Sequence, residues 1–370
     1  MRIVLATGIY PPDIGGPATY VQHLASELAA HGDSVTVITY AAKESVETRE
    51  PWNVVRVSKK GGPLPRWRRY AAALRREGKD ADIVYAFSSV SCGIPLHLAR
   101  LRRPRTILRL GGDFLWERYT DAGGRKSLQK FHRFYPGLKK LMQPILAGFD
   151  HIVFSTDFQR HLYLQSYRHL PPCSVIENAV PQQAVHLHER HEPMRLLFMG
   201  RFVRFKNLPS LLTAIAELPH VRLTLVGDGP VTTKATILAR TLSIQNRVSF
   251  LPSVHGADKE QLFAEHDVLI LPSLTEISPH AAIEARAAGL PVLLTEENGL
   301  SALLRSGMTV CALHSSVDIT RAVLDLDHRY EEVAALAATA YAYRPWARVC
   351  EEHLRLFAAL PRRKHSRTRA

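Results

Sequence analysis

Two carboxylates stand eight positions apart in Glu276-Ile277-Ser278-Pro279-His280-Ala281-Ala282-Ile283-Glu284, and upstream Gly200-Arg201 is followed by Lys206-Asn207. A carboxylate accepts hydrogen bonds from sugar hydroxyls, and one alone can take both hydroxyls of a ribose. A guanidinium forks onto phosphate oxygens and an ammonium adds a point charge. Together these residues suit a ligand that carries both phosphates and hydroxyls. Each has a plainer reading taken alone. Arg201 and Lys206 fit a solvated surface loop equally well, and a lone Glu284 reads as a solvated helix residue. The flanks Ala281-Ala282-Ile283 and Ala285 argue instead for a helix packed on both sides, where a glutamate needs a partner.

A third feature lies near the N-terminus. A strand runs to Gly8, and Gly15-Gly16-Pro17 opens the next helix. Paired glycines at a helix start let backbone N–H groups approach an anion, with the helix terminus adding partial positive charge. A glycine turn in a βα loop explains them as simply. The spacing is not the G-x-G-x-x-G of a dinucleotide site.

The elements that must position these residues alternate between strand and helix. In the first half, strands are predicted at 2–6, 34–40, 53–57, 82–87, 105–110, 150–155 and 173–177. Helices are predicted there at 17–31, 66–77, 91–102, 125–147 and 156–167. Continuous apolar runs such as Ile3-Val4-Leu5-Ala6 fit strands buried on both faces of a parallel sheet. The polar stretch 181–194, with His186, His188 and His191, breaks the pattern and reads as a solvated linker.

The alternation restarts with strands at 195–200, 221–226, 247–251, 267–271 and 291–295. Helices follow at 208–218, 231–243, 257–266 and 279–288. Asn207 suits the N-cap of the second half's first helix. Ser278 suits the N-cap of its last, with Pro279 at the first helical position and Gly289 and Pro291 ending it. The expected class is α/β: two doubly wound, Rossmann-like domains facing each other across a cleft. The expected division is 1–182, a linker 183–194, a second domain 195–345, a C-terminal helix 346–360 packing back across the hinge, and a basic, disordered tail 361–370. Ligands of such sheets bind at the carboxyl ends of the strands.

Length and composition agree: 370 residues suffice for about two cored domains. Cys92, Cys173, Cys311 and Cys350 are far apart, as expected of buried, reduced thiols in the cytoplasm. No run approaches the roughly 18 apolar residues of a spanning helix. Charge is uneven. Residues 1–185 hold 26 Lys and Arg against 15 Asp and Glu, while residues 186–370 hold 22 against 19, five of the cations being in the tail. Such asymmetry points to an anionic partner for the first half.

The ordered set resembles glycosyltransferase family 4, the retaining enzymes of GT-B fold. It comprises Gly15-Gly16, Val175-Ile176-Glu177-Asn178, G-R-x(4)-K-N at 200–207 and E-x(7)-E at 276–284. The resemblance runs from residue 2 to about 355. It implies that Arg201 and Lys206 hold the diphosphate of a sugar nucleotide, that Glu284 binds the ribose and Glu276 the donor sugar, and that Gly16 sits under the phosphates. It implies no metal and no cofactor beyond the nucleotide-sugar donor, a UDP-sugar being the working expectation. Asp325-Leu326-Asp327 reads as a solvated turn rather than a metal site. The chain departs from the family in two places. Relatives carry His-Gly or His-Asp where this sequence has Gly111-Gly112-Asp113, so Asp113 is the candidate to face the sugar, and Ile277 stands where glycine is usual.

The stretches Arg66-Trp67-Arg68-Arg69-Tyr70, Leu74-Arg75-Arg76 and Leu98–Arg109 mix cations with interfacial side chains. They suit anionic lipid, and with it a lipid-linked or cell-surface glycan acceptor. No nucleic-acid motif occurs. Two other readings remain at this point: a sugar-nucleotide epimerase on the same architecture, and a non-catalytic basic binding protein.

Overall fold

A computed structural model describes residues 1–13, 15–42, 50–183, 185 and 187–361; His186 and the basic tail from residue 362 lie outside them. The chain forms two compact units. One comprises Met1–Phe114, Tyr135–Ala179 and Pro345–Ala370, and the other Leu115–Phe134 and Val180–Arg344.

The first unit is built on strands β1 (Arg2–Ala6), β2 (Ser34–Ala41), β3 (Asn53–Ser58), β4 (Ile83–Ala86), β5 (Arg105–Leu110), β6 (His151–Phe154) and β7 (Cys173–Val175). Their order is β3-β2-β1-β4-β5-β6-β7, and every pairing is parallel. Ile3, Leu5, Ile83, Tyr85 and Ile107 are fully buried, which is why these strands read as apolar runs. The helix Trp346–Ala359 packs on the helix Gly16–Ala30 of the same unit. Trp346 meets Tyr20 edge-on at 4.9 Å, and the Tyr20 hydroxyl lies 2.8 Å from His353 Nε2.

The second unit carries β8 (Met194–Met199), β9 (Val221–Val226), β10 (Val248–Leu251), β11 (Val268–Leu271), β12 (Val292–Thr295) and β13 (Thr309–Cys311), ordered β10-β9-β8-β11-β12-β13 and again all parallel. Both sheets are therefore doubly wound, as the alternating pattern implied. No helix of the described residues is long and apolar enough to cross a membrane.

Several local expectations are corrected. The helix expected at 125–147 is two, Leu128–Phe134 and Pro136–Ala147, because Pro136 begins a new helix and disfavours helical geometry at Tyr135. Residues Phe114–Asp121 are helical rather than loop. The helix Ser316–His328 was not expected, although Ser315 and Asp318 form a capping box at its start. Asp325 and Asp327 lie on it and not in a turn; Asp325 pairs with Arg329 at 2.6 Å and Asp327 with Arg190. Nor are the linker histidines simply solvated. His188 is buried against His266 O at 3.1 Å, and His191 Nδ1 lies 2.6 Å from the buried Asp267 carboxylate. The cysteines are all free, with Cys92 and Cys350 buried and the other two half-buried.

Candidate functional site

In the second unit, three chain turns at the carboxyl ends of β8, β11 and β12 are tied together around Glu276. After β8, Gly200 leaves the strand and residues Arg204–Lys206 make one 3-10 turn. Leu274 N–H donates to Phe205 O at 2.8 Å, joining the loop after β11 to that turn. Glu276 N–H donates to Glu297 O at 3.0 Å, and Gly299 N–H to Glu276 O at 2.8 Å, joining it to the loop after β12. With its backbone held from both sides, the Glu276 side chain takes two donors on one oxygen: Lys206 Nζ at 2.5 Å and Ser273 Oγ at 2.5 Å. Both charged side chains are largely shielded, Lys206 at 14% exposure and Glu276 at 6%. Here an unpaired charge would be costly, and the pair removes that cost.

Glu284 lies on the helix His280–Ala287, whose N-cap is Pro279 without a side-chain cap bond, so Ser278 does not cap it as expected. The carboxylate has the partner its apolar flanks demanded. Lys259 Nζ, from the helix Ala257–Ala264, donates to Glu284 Oε1 at 2.8 Å. Two residues on, Arg286 is fully buried and donates to Ser306 O at 2.9 Å and Ala337 O at 2.6 Å. It thereby pins the glutamate-bearing helix, and burial lowers its pKa. Asn207 does sit at the N-cap of Leu208–Glu217, but in left-handed geometry. Its carboxamide accepts from Ser210 Oγ at 2.8 Å and donates to His314 O at 3.1 Å instead of capping an amide. Arg201 is exposed, and Ile277 is buried.

Sequence reasoning missed Lys259, Ser273 and the turn Gly227-Asp228-Gly229. That turn lies directly against Gly200: a Cβ on Gly227 would stand 2.0 Å from Gly200 O, and one on Gly229 would stand 2.3 Å from Phe202 O. Phe202 N–H donates to Asp228 O at 2.8 Å, so the two strand-end turns form one unit. The Thr232 hydroxyl and the Gly229 N–H lower the pKa of the Asp228 carboxyl. A Gly-x-Gly directly after a strand was the available signal.

The first unit supplies the other predicted residues. Gly15 is the N-cap of Gly16–Ala30, at φ 155°, and Gly16 is the first helical residue. A Cβ on Gly15 would meet the end of the Ile9 side chain, at 2.8 Å, with Pro17 Cδ next at 4.0 Å. Asp113 follows β5, is 1% exposed, and accepts from the Tyr163 hydroxyl at 2.9 Å. Gln159 Nε2 donates to Gly112 O at 3.0 Å and fixes the same turn. Asn178, from the motif before the linker, accepts from the buried Arg109 at 3.0 Å. In the basic stretch near 66–76, Arg69 donates to Ser58 O at 3.2 Å and Arg75 to Leu98 O at 2.6 Å, while Arg68, Arg75 and Arg76 are exposed.

With this geometry in view, the chain belongs to the family 4, group 1 glycosyltransferases. The family described as Glycosyltransferase Family 4 matches residues 14–184, and Glycosyl transferases group 1 matches residues 181–342. Among curated relatives, D-inositol 3-phosphate glycosyltransferase of Mycobacterium sp. (strain KMS) is 36% identical over 118 residues. That stretch is 30% of this chain and spans only 27% of the relative's length. Alpha-monoglucosyldiacylglycerol synthase of Acholeplasma laidlawii is 22% identical over 383 residues, 95% of this chain and 96% of that one. Sucrose-phosphate synthase of Thermosynechococcus elongatus shares the GT-B fold with a TM-score of 0.78 at 18% identity, covering 97% of this chain and 98% of its own.

Proposed function

We propose that the protein is a retaining glycosyltransferase that moves a sugar from a nucleotide diphosphate, with UDP-sugar as the first candidate, to an acceptor hydroxyl. One observation carries the reading: Lys206 and Ser273 converge on a shielded Glu276 carboxylate at the strand ends where a doubly wound sheet binds ligands. In this reading the anomeric C–O bond to the diphosphate breaks and the acceptor oxygen bonds to the same face. The acceptor's hydroxyl proton passes to the departing diphosphate oxygen, and the nucleoside diphosphate leaves still carrying negative charge. Arg201 and Lys206 neutralise that anion, Glu276 holds the donor sugar and Glu284 takes the ribose hydroxyls. In the same reading Asp113, buried and hydrogen-bonded by the Tyr163 hydroxyl, is the residue that faces the donor sugar. These cations do the work of a divalent ion, so EDTA should leave turnover unchanged. Calorimetry with UDP and GDP is the direct test; absence of binding by either would end this reading in favour of a non-catalytic protein.

The acceptor in this proposal is a lipid-linked or cell-surface glycan precursor, met at the cytoplasmic face of a membrane. The exposed Leu64, Arg68, Arg76, Arg102 and Arg103 support it, each surface cation adding about 1 kcal/mol near anionic lipid. Co-sedimentation with phosphatidylglycerol vesicles at low salt should exceed that with phosphatidylcholine; equal partitioning would remove the membrane from the proposal.

A further inference from the structure

The chain from Leu115 to Phe134 interrupts the first unit's run of sequence and packs with the second. Trp116 is buried there with its ring 4.9 Å from that of Phe205, in the turn that carries Lys206. Its indole N–H donates to Lys126 O at 2.9 Å, which folds the segment back on itself before the helix Leu128–Phe134. That helix starts beside the loop that carries Glu276.

The first N–H groups of a helix have no partner within it, so a buried helix start needs acceptors from elsewhere. Ser127 stands just before this helix, yet its Oγ is buried with no hydrogen-bond partner among the described residues. The acceptors come from far along the chain. Leu128 N–H donates to Thr275 Oγ1 at 2.9 Å, and Gln129 N–H to Glu297 Oε1 at 3.0 Å. Those two side chains are themselves joined. The Thr275 hydroxyl lies 2.8 Å from both Glu297 Oε1 and Leu274 O, and its single proton favours the charged acceptor. Glu297 also acts through its main chain, where its carbonyl accepts the Glu276 N–H at 3.0 Å. One half-buried residue therefore holds Glu276 by backbone and the neighbouring Thr275 by side chain. The Glu297 carboxylate serves here as a hydrogen-bond acceptor, a task that a carboxamide oxygen also performs.

We infer that Glu297 is a positioning residue for Glu276: with Thr275 it locks the Glu276 loop onto the segment 115–134, and so sets where the Glu276 carboxylate meets the donor sugar. The same segment touches the Lys206 turn through Trp116 and Phe205, so it braces both members of the Lys206–Glu276 pair. Groups that contact a substrate hold their geometry only when the residues behind them are fixed in turn. What is positioned rests on the glycosyltransferase reading; the lock itself does not.

The test uses the full chain and the variants Glu297→Ala and Glu297→Gln. Amide hydrogen exchange in peptides around 128–131 and 273–278 reads the lock without any ligand. Glu297→Ala should speed exchange in both about tenfold or more, as expected for lost hydrogen bonds to a charged group. Glu297→Gln keeps the acceptor and should stay within about twofold of the unmodified protein. Kinetics then reads the positioning, on the UDP- or GDP-sugar that the unmodified protein hydrolyses. Glu297→Ala should lower kcat about 10–100-fold, the scale of a misplaced group, while affinity for the free nucleoside diphosphate stays within about twofold. Glu297→Gln should restore most of kcat. If Glu297→Ala folds poorly, Thr275→Val removes the other acceptor at nearly constant shape and should give the same split. Unchanged exchange in Glu297→Ala, a kcat loss matched by lost nucleotide affinity, or a Gln variant as impaired as Ala overturns the inference and leaves the donor reading intact. If exchange responds as expected but the unmodified protein binds neither UDP nor GDP and hydrolyses no sugar nucleotide, the donor reading falls, and with it the part of Glu297 in the reaction, while the lock stands.

Discussion

Around their candidate sites the two units hold lysines and arginines differently, although Arg286 of the second unit also rests on carbonyls. At the strand ends of the second, two lysines are matched to carboxylates, the shielded Lys206 to Glu276 at 2.5 Å and the partly exposed Lys259 to Glu284 at 2.8 Å. In the first unit, guanidinium groups rest on carbonyls and rings: Arg69 on Ser58 O, Arg75 on Leu98 O, Arg109 on Ile176 O, and Arg66 over Tyr40. Lys59 with Asp13, Arg76 with Glu77, Arg160 with Asp157 and Arg355 with Glu351 are exceptions, each with at least one well-exposed, screened side chain. A carbonyl or a ring orients a cation without cancelling its charge, whereas a carboxylate does both. The second unit therefore stores its charges as pairs that a ligand with phosphates and hydroxyls can exchange into. The first unit keeps a standing positive field, which is where the excess cations of the sequence reside.

The largest effect that would break this contrast is at Lys206. Lys206→Ala removes a phosphate contact and leaves the Glu276 carboxylate with Ser273 as its remaining side-chain donor. Turnover of a donor sugar nucleotide should fall about 10²–10³-fold, the usual cost of losing one charge-stabilising group. Breaking a shielded pair from one side costs about 3–5 kcal/mol, so Lys206→Ala should also melt early, and adding Glu276→Gln should restore part of that stability. Arg69→Ala, which strips a cation from carbonyls in the first unit, should leave turnover within tenfold. Steady-state kinetics and denaturant melts on these variants check both halves; a Lys206→Ala enzyme at near-normal turnover would remove the distinction.

Glycines sharpen the comparison in the same direction. Gly227 and Gly15 both have positive φ, at 140° and 155°. What an added methyl would meet differs. At Gly227 it is the backbone oxygen of Gly200 at 2.0 Å; at Gly15 it is the end of the Ile9 side chain at 2.8 Å. Backbone cannot step aside and a terminal methyl can. Gly227→Ala should cost about 2–4 kcal/mol through strain and displacement of the Arg201 loop. Gly15→Ala should cost about 1–3 kcal/mol, the backbone share alone. Equal losses in melting temperature would mean that the two turns are not differently packed.

Strand periodicity exposed the fold because buried parallel strands write continuous apolar runs, as β1, β6 and β8 do. It failed where the run was only three residues long, at β13, and where a single proline, Pro136, divided an otherwise helical pattern. In the site, the carboxylates and Lys206 were legible because their types and spacing are unusual together. Lys259 was not: it lies 25 residues before Glu284 on a different helix, and only the fold brings them to 2.8 Å. Ser273 was hidden for a different reason, since a serine three residues before a glutamate has no distinctive pattern of its own. Asp113 was placed correctly after its strand, but burial against Tyr163 depends on a helix 44–53 residues further along, which spacing cannot show.

The smallest effect is also the finest test of the stored-pair idea. Lys259 and Glu284 are partly exposed, at 20% and 24%, so the pair itself is worth only about 0.2–1 kcal/mol. If Glu284 takes ribose hydroxyls, Lys259 is a competitor that must be shared or displaced when nucleotide binds. Glu284→Ala should therefore weaken UDP about tenfold by removing the acceptor, an amount in keeping with lost hydrogen bonds to a charged group. Lys259→Ala should act with the opposite sign, tightening UDP about two- to threefold because the carboxylate is released at a cost set by a weak pair. Calorimetry resolves both. A Lys259→Ala protein that binds UDP ten times more weakly would show that the lysine serves the nucleotide directly, and that the second unit's two pairs are not alike.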